Sequence, residues 1–290
     1  MPFPSTFSIV AHDPSLNAWG IAVASKFLAV GAVVPWARAN AGAVATQSYA
    51  NTSFGPRGLD LMEAGYSASE TLEKLLENDP QPDLRQVGLV DAKGNAVTYT
   101  GNSCYSWAGG ITGPKFAAQG NLLAGEQVVQ AMASVYTQNQ QIDFIQRLYQ
   151  ALLAGDRAGG DRRGRQSAAI LIVKSQGGYG GHNDRWVDYR IDDSPDPFTE
   201  LGELLELHDL YYGNNPQSDQ VKLDGKDLQE VQSIMKKLGY YLGPVHGLYD
   251  PPTRAALEAF IGNENFEDRT NFPDGKIDRP VLEYLLRRFG

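Results

Sequence analysis

A threonine at the head of an apolar strand is the first residue of this chain with chemistry to offer. Thr6 opens the run Thr6-Phe7-Ser8-Ile9-Val10-Ala11, with Met-Pro-Phe-Pro-Ser ahead of it. If Thr6 were first in the working chain, one residue would carry both a hydroxyl and a free α-amine. Such an amine titrates near pH 8 (about 7.7–8.0). Much of it is then neutral at working pH and takes the hydroxyl proton as the oxygen attacks a carbonyl. Exposing it requires cleavage after Ser5. The plainer reading is a β-branched residue that merely opens a strand.

A second constellation lies in Gly159-Gly160-Asp161-Arg162-Arg163-Gly164-Arg165-Gln166-Ser167, directly before an apolar run. Glycines there let the backbone approach a ligand, Arg163 and Arg165 can fork onto a carboxylate, and Asp161 can orient either. The alternative is a solvated charged connection. Gln47 and Ser48 lead out of a buried strand as a polar loop, and Asn121 ends another short strand. Thr6, Lys26, Arg38 and Asn121 are therefore the catalytic candidates. The two cations are expected to lower the pKa of the Thr6 hydroxyl or amine, and Asn121 or backbone N–H groups to hold an oxyanion. Gln47, Ser48, Asp161, Arg163, Arg165 and Gln166 are the substrate-binding candidates.

Other residue types carry less. His12, His182, His208 and His246 have no metal-ligand spacing. Asp192, Asp193 and Asp196 read as a polar turn, and no metal or cofactor is expected. Gly177 to Gly181 lacks the Lys-Ser/Thr and helix of a phosphate loop and reads as a hairpin tip. Cys104 is the one cysteine, so no internal disulfide is available.

These residues need elements to hold them. Thr6–Ala11 and Ala18–Ser25 read as a buried hairpin around Asp13-Pro14. Val30 to Pro35 and Gly42 to Thr46 read as two further strands. Gly55-Pro56 starts a helix to about Gly65, and Ser67 with Glu70 forms a capping box for the next. Arg85–Val90 and Ala96–Thr100 make a hairpin, 101–115 an ordered loop, and 116–121 a strand end. Amphipathic helices follow over 124–136 and 141–153. Strands at 167–173 and 186–191 precede a helix from Pro197 to Tyr211. Paired strands alternating with paired helices fit a sheet-on-sheet core with helices outside. Gly213-Asn214-Asn215-Pro216-Gln217-Ser218-Asp219 reads as a linker, and helices at 227–238, 253–260 and 280–288 complete the chain.

Composition sets the outer bounds. The chain has 290 residues, 42% hydrophobic and 20% charged, with a formal net charge of −9. That length suits one large domain and one small one. The acidic balance argues against nonspecific binding to nucleic acid or to an anionic membrane. No apolar run approaches the length of a transmembrane helix, and the start has no signal-peptide pattern. A cytoplasmic location is the expectation.

Two resemblances sharpen the reading. The Thr6–Ala11 run, Asp13-Pro14, Gly42-Ala43-Val44-Ala45-Thr46-Gln47, Arg85-Gln86, Gln119-Gly120-Asn121, Gly159 to Ala169 and Arg190-Ile191-Asp192-Asp193 resemble the pattern of the DUF1028 family. That family is assigned to the Ntn-hydrolase superfamily, so the resemblance implies a four-layer αββα sandwich and a nucleophile at Thr6. Members commonly begin Met-Thr-Phe-Ser, whereas five residues precede Thr6 here. Leu238-Gly239-Tyr240, the Gly243 to Tyr249 run and Thr253 resemble the peptidoglycan-binding-domain-1 fold, a three-helix bundle. The usual Phe-Gln after its second helix is Phe260-Ile261 in this chain.

The expectation is an α+β protein: an Ntn-hydrolase-like αββα domain over 1–212, a linker over 213–224 and a helical domain over 225–290. One function is amide hydrolysis on a small-molecule or peptide substrate. The other is a non-catalytic binding protein that keeps the sandwich, with residues 225–290 docking a glycan or a protein. A homodimer stays open.

Overall fold

The computed structural model describes residues 6–213 and 219–290. Residues 1–5, and residues 214–218 of the expected linker, lie outside the described residues. Contacts divide the chain into two compact units, one through Leu204 and one from Leu205.

The first unit is mixed α/β with two antiparallel sheets. Strands β1 (Thr6–Asp13) and β2 (Ala18–Ser25) form the expected hairpin and are buried almost throughout. They lie at the centre of a six-stranded sheet. Its other members are β7 (Gly109–Gly113), β8 (Phe116–Asn121), β9 (Ser167–Lys174) and β10 (Arg185–Ile191), in the order β10-β9-β2-β1-β8-β7. The second sheet has the order β3-β4-β5-β6, from β3 (Pro35–Arg38), β4 (Gly42–Ser48), β5 (Arg85–Asp91) and β6 (Ala96–Thr100).

Alternation along these strands decides what each side chain touches. Val10, Trp19, Ile21, Val23, Ala117 and Leu171 of the first sheet share one core cluster with Ala43, Ala45 and Val90 of the second. Val44, Val87 and Leu89 point the other way, against α1 (Phe54–Glu63) and α2 (Ala68–Glu77). Ser67 and Glu70 form the full capping box at the start of α2. Helices α3 (Gln127–Gln138) and α4 (Phe144–Arg157) bury their apolar stripes, Val128 and Met132 on one and Leu148 and Leu152 on the other. Helix α4 comes so close to β2 that a Cβ on Gly20 would lie 2.5 Å from Leu148.

Two expectations fail here. Residues 30–34 are not a strand, which starts only at Pro35: Val30–Ala32 is a 3-10 turn entered through Ala29 at φ 53. Its backbone is satisfied away from any ladder, Val30 N–H donating to Ser167 Oγ and Ala29 N–H to the Asp192 carbonyl. The loop expected over 101–115 contains β7, which pairs with β8. Its glycines gave no strand-like side-chain pattern to read.

The second unit takes in the later part of α5 (Pro197–Tyr212). Helices α6 (Gly225–Lys237), α7 (Pro251–Asn263) and α8 (Arg279–Phe289) stand where helices are expected. A small antiparallel sheet joins them: β11 (Gln220–Lys222), β12 (Thr270–Asn271) and β13 (Lys276–Asp278), in the order β11-β13-β12. These strands are two or three residues long, too short for any periodicity to show. Leu210, Leu223, Leu228, Phe260, Phe266 and Leu285 share one core. Among the described residues, no helix is long and apolar enough to cross a membrane.

Candidate active site

The layer between the two sheets changes character along its length. At one end it is apolar, built on Val10, Trp19, Ala43 and Val90. At the other end the inward positions turn polar. Register places Asn121, Thr6, Ser25 and Ser167 in one row across β8, β1, β2 and β9. Gln119 and Ser8 pair in the row two residues further in, and Gln47, Gln86 and Thr100 pair across the second sheet. Thr6, Ser8, Gln86, Gln119 and Asn121 are 0% exposed.

Buried polar groups on this scale must bond one another. Thr6 Oγ1 donates to Ser25 Oγ at 3.3 Å. Gln119 Nε2 donates to Ser8 Oγ at 2.7 Å, and Ser8 Oγ donates to Gln47 Oε1 at 2.6 Å. Gln47 Nε2 reaches both the Thr6 carbonyl, at 3.3 Å, and Gln86 Oε1, at 2.9 Å. Asn121 Nδ2 donates to the same Gln86 oxygen at 2.9 Å, and Gln86 Nε2 donates to the Gly120 carbonyl at 2.7 Å. These bonds tie the two sheets together directly behind Thr6. Gly88 makes room for them: a Cβ there would sit 2.2 Å from Gln119 Oε1.

Backbone strain gathers at the same end. Ser48, the last residue of β4, has φ 65, and Leu122, which follows Asn121, has φ 52. Left-handed conformations of such residues cost about 1–2 kcal/mol each. An ion pair braces the loop after β4. Arg85 Nε and Nη2 hold the two Asp79 oxygens at 3.0 Å, while Nη1 donates to the Tyr49 carbonyl at 2.7 Å. Burial pushes the Asp79 carboxyl up. Bonds from Arg85, Asn51 and the Gln81 N–H outweigh burial, so the group titrates below its ordinary range.

The Gly159–Gly164 segment packs beside Lys26, Leu122 and Leu123, the residues that follow the strand partners of Thr6. Asp161 bridges to Leu123 and accepts the Lys26 N–H on Oδ2 at 2.7 Å. Its carboxylate also holds the Arg163 guanidinium, at 3.2 Å from Nε and 3.0 Å from Nη2. Arg165 is engaged as well, forking onto Asp156 at 2.8 and 2.6 Å. Its pKa stands above the ordinary value, first because of the hydrogen bond to Asp156. Both arginines therefore have internal carboxylate partners.

The remaining candidates separate. Lys26 directly follows Ser25, but its Nζ donates to the Arg165 carbonyl at 3.1 Å rather than reaching into the row. Arg38 is not brought to Thr6. It pairs in register with Gly42, five residues along β4 from Gln47, and binds Asp60 and Glu63 of α1. Gln166 donates to Asp193 at 3.0 Å. Ser48 closes β4 opposite Arg85. The sequence candidates for the site did not include Ser8, Ser25, Gln86, Gln119 or Ser167. The available signal was a polar residue every second position, as in Thr6/Ser8 and Gln119/Asn121, inside otherwise apolar strands.

Chemically, the arrangement offers a buried hydroxyl on a fixed strand start, with carboxamides immediately behind it. Among the described residues no group of three or more metal-binding side chains occurs.

Comparison with known proteins accounts for most of the chain. No curated protein matches it. The second unit matches the peptidoglycan-binding-2 domain family over residues 214–285. Among solved structures, the crystal structure of a DUF1028 protein from Silicibacter pomeroyi is 30% identical, with a TM-score of 0.64 over 71% of this chain and 89% of that one. Anbu, an ancestral β-subunit from Yersinia bercovieri, aligns at 11% identity and a TM-score of 0.30, over 72% of this chain and 100% of its own. The family of unknown function DUF1028 matches residues 6–201, starting at Thr6 and ending within α5, so this chain belongs to the DUF1028 family.

Proposed function

We propose that this chain is an N-terminal-nucleophile amidohydrolase with Thr6 as its nucleophile, on an Ntn-type αββα layering of helices and sheets. The observation that carries the reading is the position of Thr6: a buried strand start at the polar end of the inter-sheet layer, in one row with Asn121, Ser25 and Ser167. Polar groups gathered at one end of an otherwise apolar layer are where sites form.

The chemistry begins with hydrolysis of the Ser5–Thr6 peptide bond. One water is consumed, leaving a carboxylate on Ser5 and an α-amine on Thr6. That amine takes the hydroxyl proton as Oγ1 attacks an amide carbonyl, and Asn121 is the side-chain donor beside the developing oxyanion. The C–N bond breaks, and the leaving amine takes the proton from the Thr6 ammonium. Water then hydrolyses the ester and restores Thr6. Ser25 receives the Thr6 hydroxyl in the resting arrangement and orients it.

The test is covalent labelling of protein whose chain begins at Thr6. A β-lactone probe should add its full mass once, on Thr6, and Thr6→Ala should lose the adduct. Equal labelling of Thr6→Ala would overturn the assignment.

A second activity belongs to the second unit. The family match at 214–285 and a groove of about 620 Å³ support glycan binding there. Ile234, Val245, Leu286 and Phe289 floor the groove, and Lys226, Gln229, Ser233 and Lys237 stand among its polar groups. Binding to purified peptidoglycan, weakened by Ser233→Trp, is the expected result. Equal retention of the variant would place the contact elsewhere.

A further inference from the structure

The groove of the second unit follows one stripe of α6, where Lys226, Gln229, Ser233 and Lys237 line it. Steps of three and four residues keep these four on one helical face. Lys226 and Lys237 stand three turns apart, about 16 Å along the helix. Between and beneath them the floor is apolar, from Ile234, Val245, Leu286 and Phe289. Sugars are commonly gripped by stacking their C–H face on an open aromatic ring. Among the described lining residues Phe289 alone has a ring, and that ring is already engaged. The Arg288 guanidinium lies over it, 5.5 Å from its centroid, and Phe260 packs against it at 5.6 Å and 77°. The rest of the floor is aliphatic.

The polar groups suit a charged, extended ligand better. Lys226 pairs with Glu230 at 3.5 Å, but the two side chains are 86% and 44% exposed. Such a pair is weak, so an incoming carboxylate displaces it at little loss. Lys237 Nζ donates to the Phe289 carbonyl at 3.2 Å. That bond holds the ammonium over the last turn of α8 and takes one of its three donors. Ser233 Oγ donates to the Gln229 carbonyl at 2.8 Å, which leaves its lone pairs to accept an N–H. A cation at each end, with an amide and a hydroxyl between, matches an extended peptide. About five residues at about 3.3 Å each span the distance.

We propose that this groove binds the peptide stems of peptidoglycan rather than its sugar strand, with one stem carboxylate on Lys226 and another on Lys237. Peptidoglycan links its sugar strands through short, alanine-rich peptides that carry free carboxylates. Their methyl groups lie on the aliphatic floor, and Gln229 and Ser233 meet the stem backbone between its two charged ends. Lysine bonds to carboxylates are charge-assisted and strong, and a neutral sugar hydroxyl gives an ammonium nothing comparable. The inference deepens the peptidoglycan-binding reading of this unit and rests on it for the choice of polymer.

The experiment is retention of the full chain on intact purified peptidoglycan and on the same material stripped of its stems by an amidase, with the released stems as competitor. Stripping leaves a carboxylate on the sugar strand, so a loss of retention reports the peptide and not charge alone. Intact material should hold the protein, stripped strands should not, and released stems should compete. Lys226→Gln should weaken retention about two- to fivefold, and Lys226→Gln with Lys237→Gln about tenfold. Should Lys237→Gln unseat α8, Lys226→Gln decides alone, since its side chain is exposed. Equal retention on stripped strands overturns the proposal and leaves the peptidoglycan reading standing. Stem-dependent retention that Lys226→Gln does not change also overturns it, by placing the stem outside the groove. No retention on intact material sinks both.

Discussion

His12 shows how much a single side chain tells about this core. It stands on β1 at the opposite end from Thr6, 6% exposed, with its ring stacked on Trp19 at 4.6 Å. Neither ring nitrogen has a hydrogen-bond partner. Burial, with Lys115 adding to it, holds its pKa below the ordinary value of 6.5. The folded protein therefore keeps His12 neutral, while the unfolded chain protonates it below about pH 6.5. Stability from this residue is fully present above that pH and is lost as pH falls towards the lower folded value. Thermal unfolding is expected to show a drop in Tm between pH 7 and pH 5 that His12→Phe flattens. An unchanged pH slope in the variant would remove His12 as the cause. Nothing local signals this: a histidine beside Asp13-Pro14 reads as part of a solvated turn. Only the pairing of β1 with β2 shows it on the inward face beside Trp19.

At the scale of elements, local rules were most legible where a few adjacent residues decide the outcome. The capping box of α2 is one such case, Ser67 N–H donating to the Glu70 carboxylate at 2.8 Å and the Glu70 N–H to Ser67 Oγ at 3.3 Å. Ser67→Ala is expected to cost about 1 kcal/mol, measured by urea denaturation of the full chain. No shift in midpoint would mean that packing of Leu72 and Leu75 alone holds the helix. The β1–β2 hairpin was equally readable from its apolar run and its Asp-Pro turn. Elements fixed by distant partners were not. The 3-10 turn at Val30 exists because Ser167, 137 residues away, supplies an acceptor for its N–H. The strand at 109–113 exists because β8 offers an edge. Arg38 was misjudged for the same reason: its acidic partners sit on α1, and spacing along the chain does not reveal which carboxylate a cation will meet. The polar row itself was partly legible. Thr6, Gln47 and Asn121 drew attention as polar strand ends, but the carboxamides of Gln86 and Gln119 acquire meaning only once the sheets face each other.

For the whole molecule, the two compact units have separate cores, and that of the second reaches back before residue 225. Leu210 and Leu223 are buried in it at 8% and 0% exposure, Leu207 and Tyr211 pack against it, and Tyr211 stacks on Phe266 at 4.6 Å. Arg269 also donates to the Gly213 carbonyl. A fragment of residues 205–290 is therefore expected to fold alone. A fragment begun at residue 225 gives up two buried leucines, each worth about 1.5–3 kcal/mol, and should be markedly less stable. Circular dichroism melts of the two fragments check this, and equal melting temperatures would show that the α5 segment contributes nothing.

The gradient in the inter-sheet layer has one more consequence. Where Val10, Trp19 and Val90 meet, admitting water exposes apolar surface at a cost of about 25 cal/mol per Å², with nothing gained in return. Where Ser8, Gln47, Gln86 and Gln119 meet, a water molecule can exchange places with an existing hydrogen bond, a nearly even trade. The molecule is thus insulated at one end and wettable at the other. Thr6 stands at the end where admitting water costs least, and its proposed chemistry consumes water twice: once to release its amine, and once in every turnover.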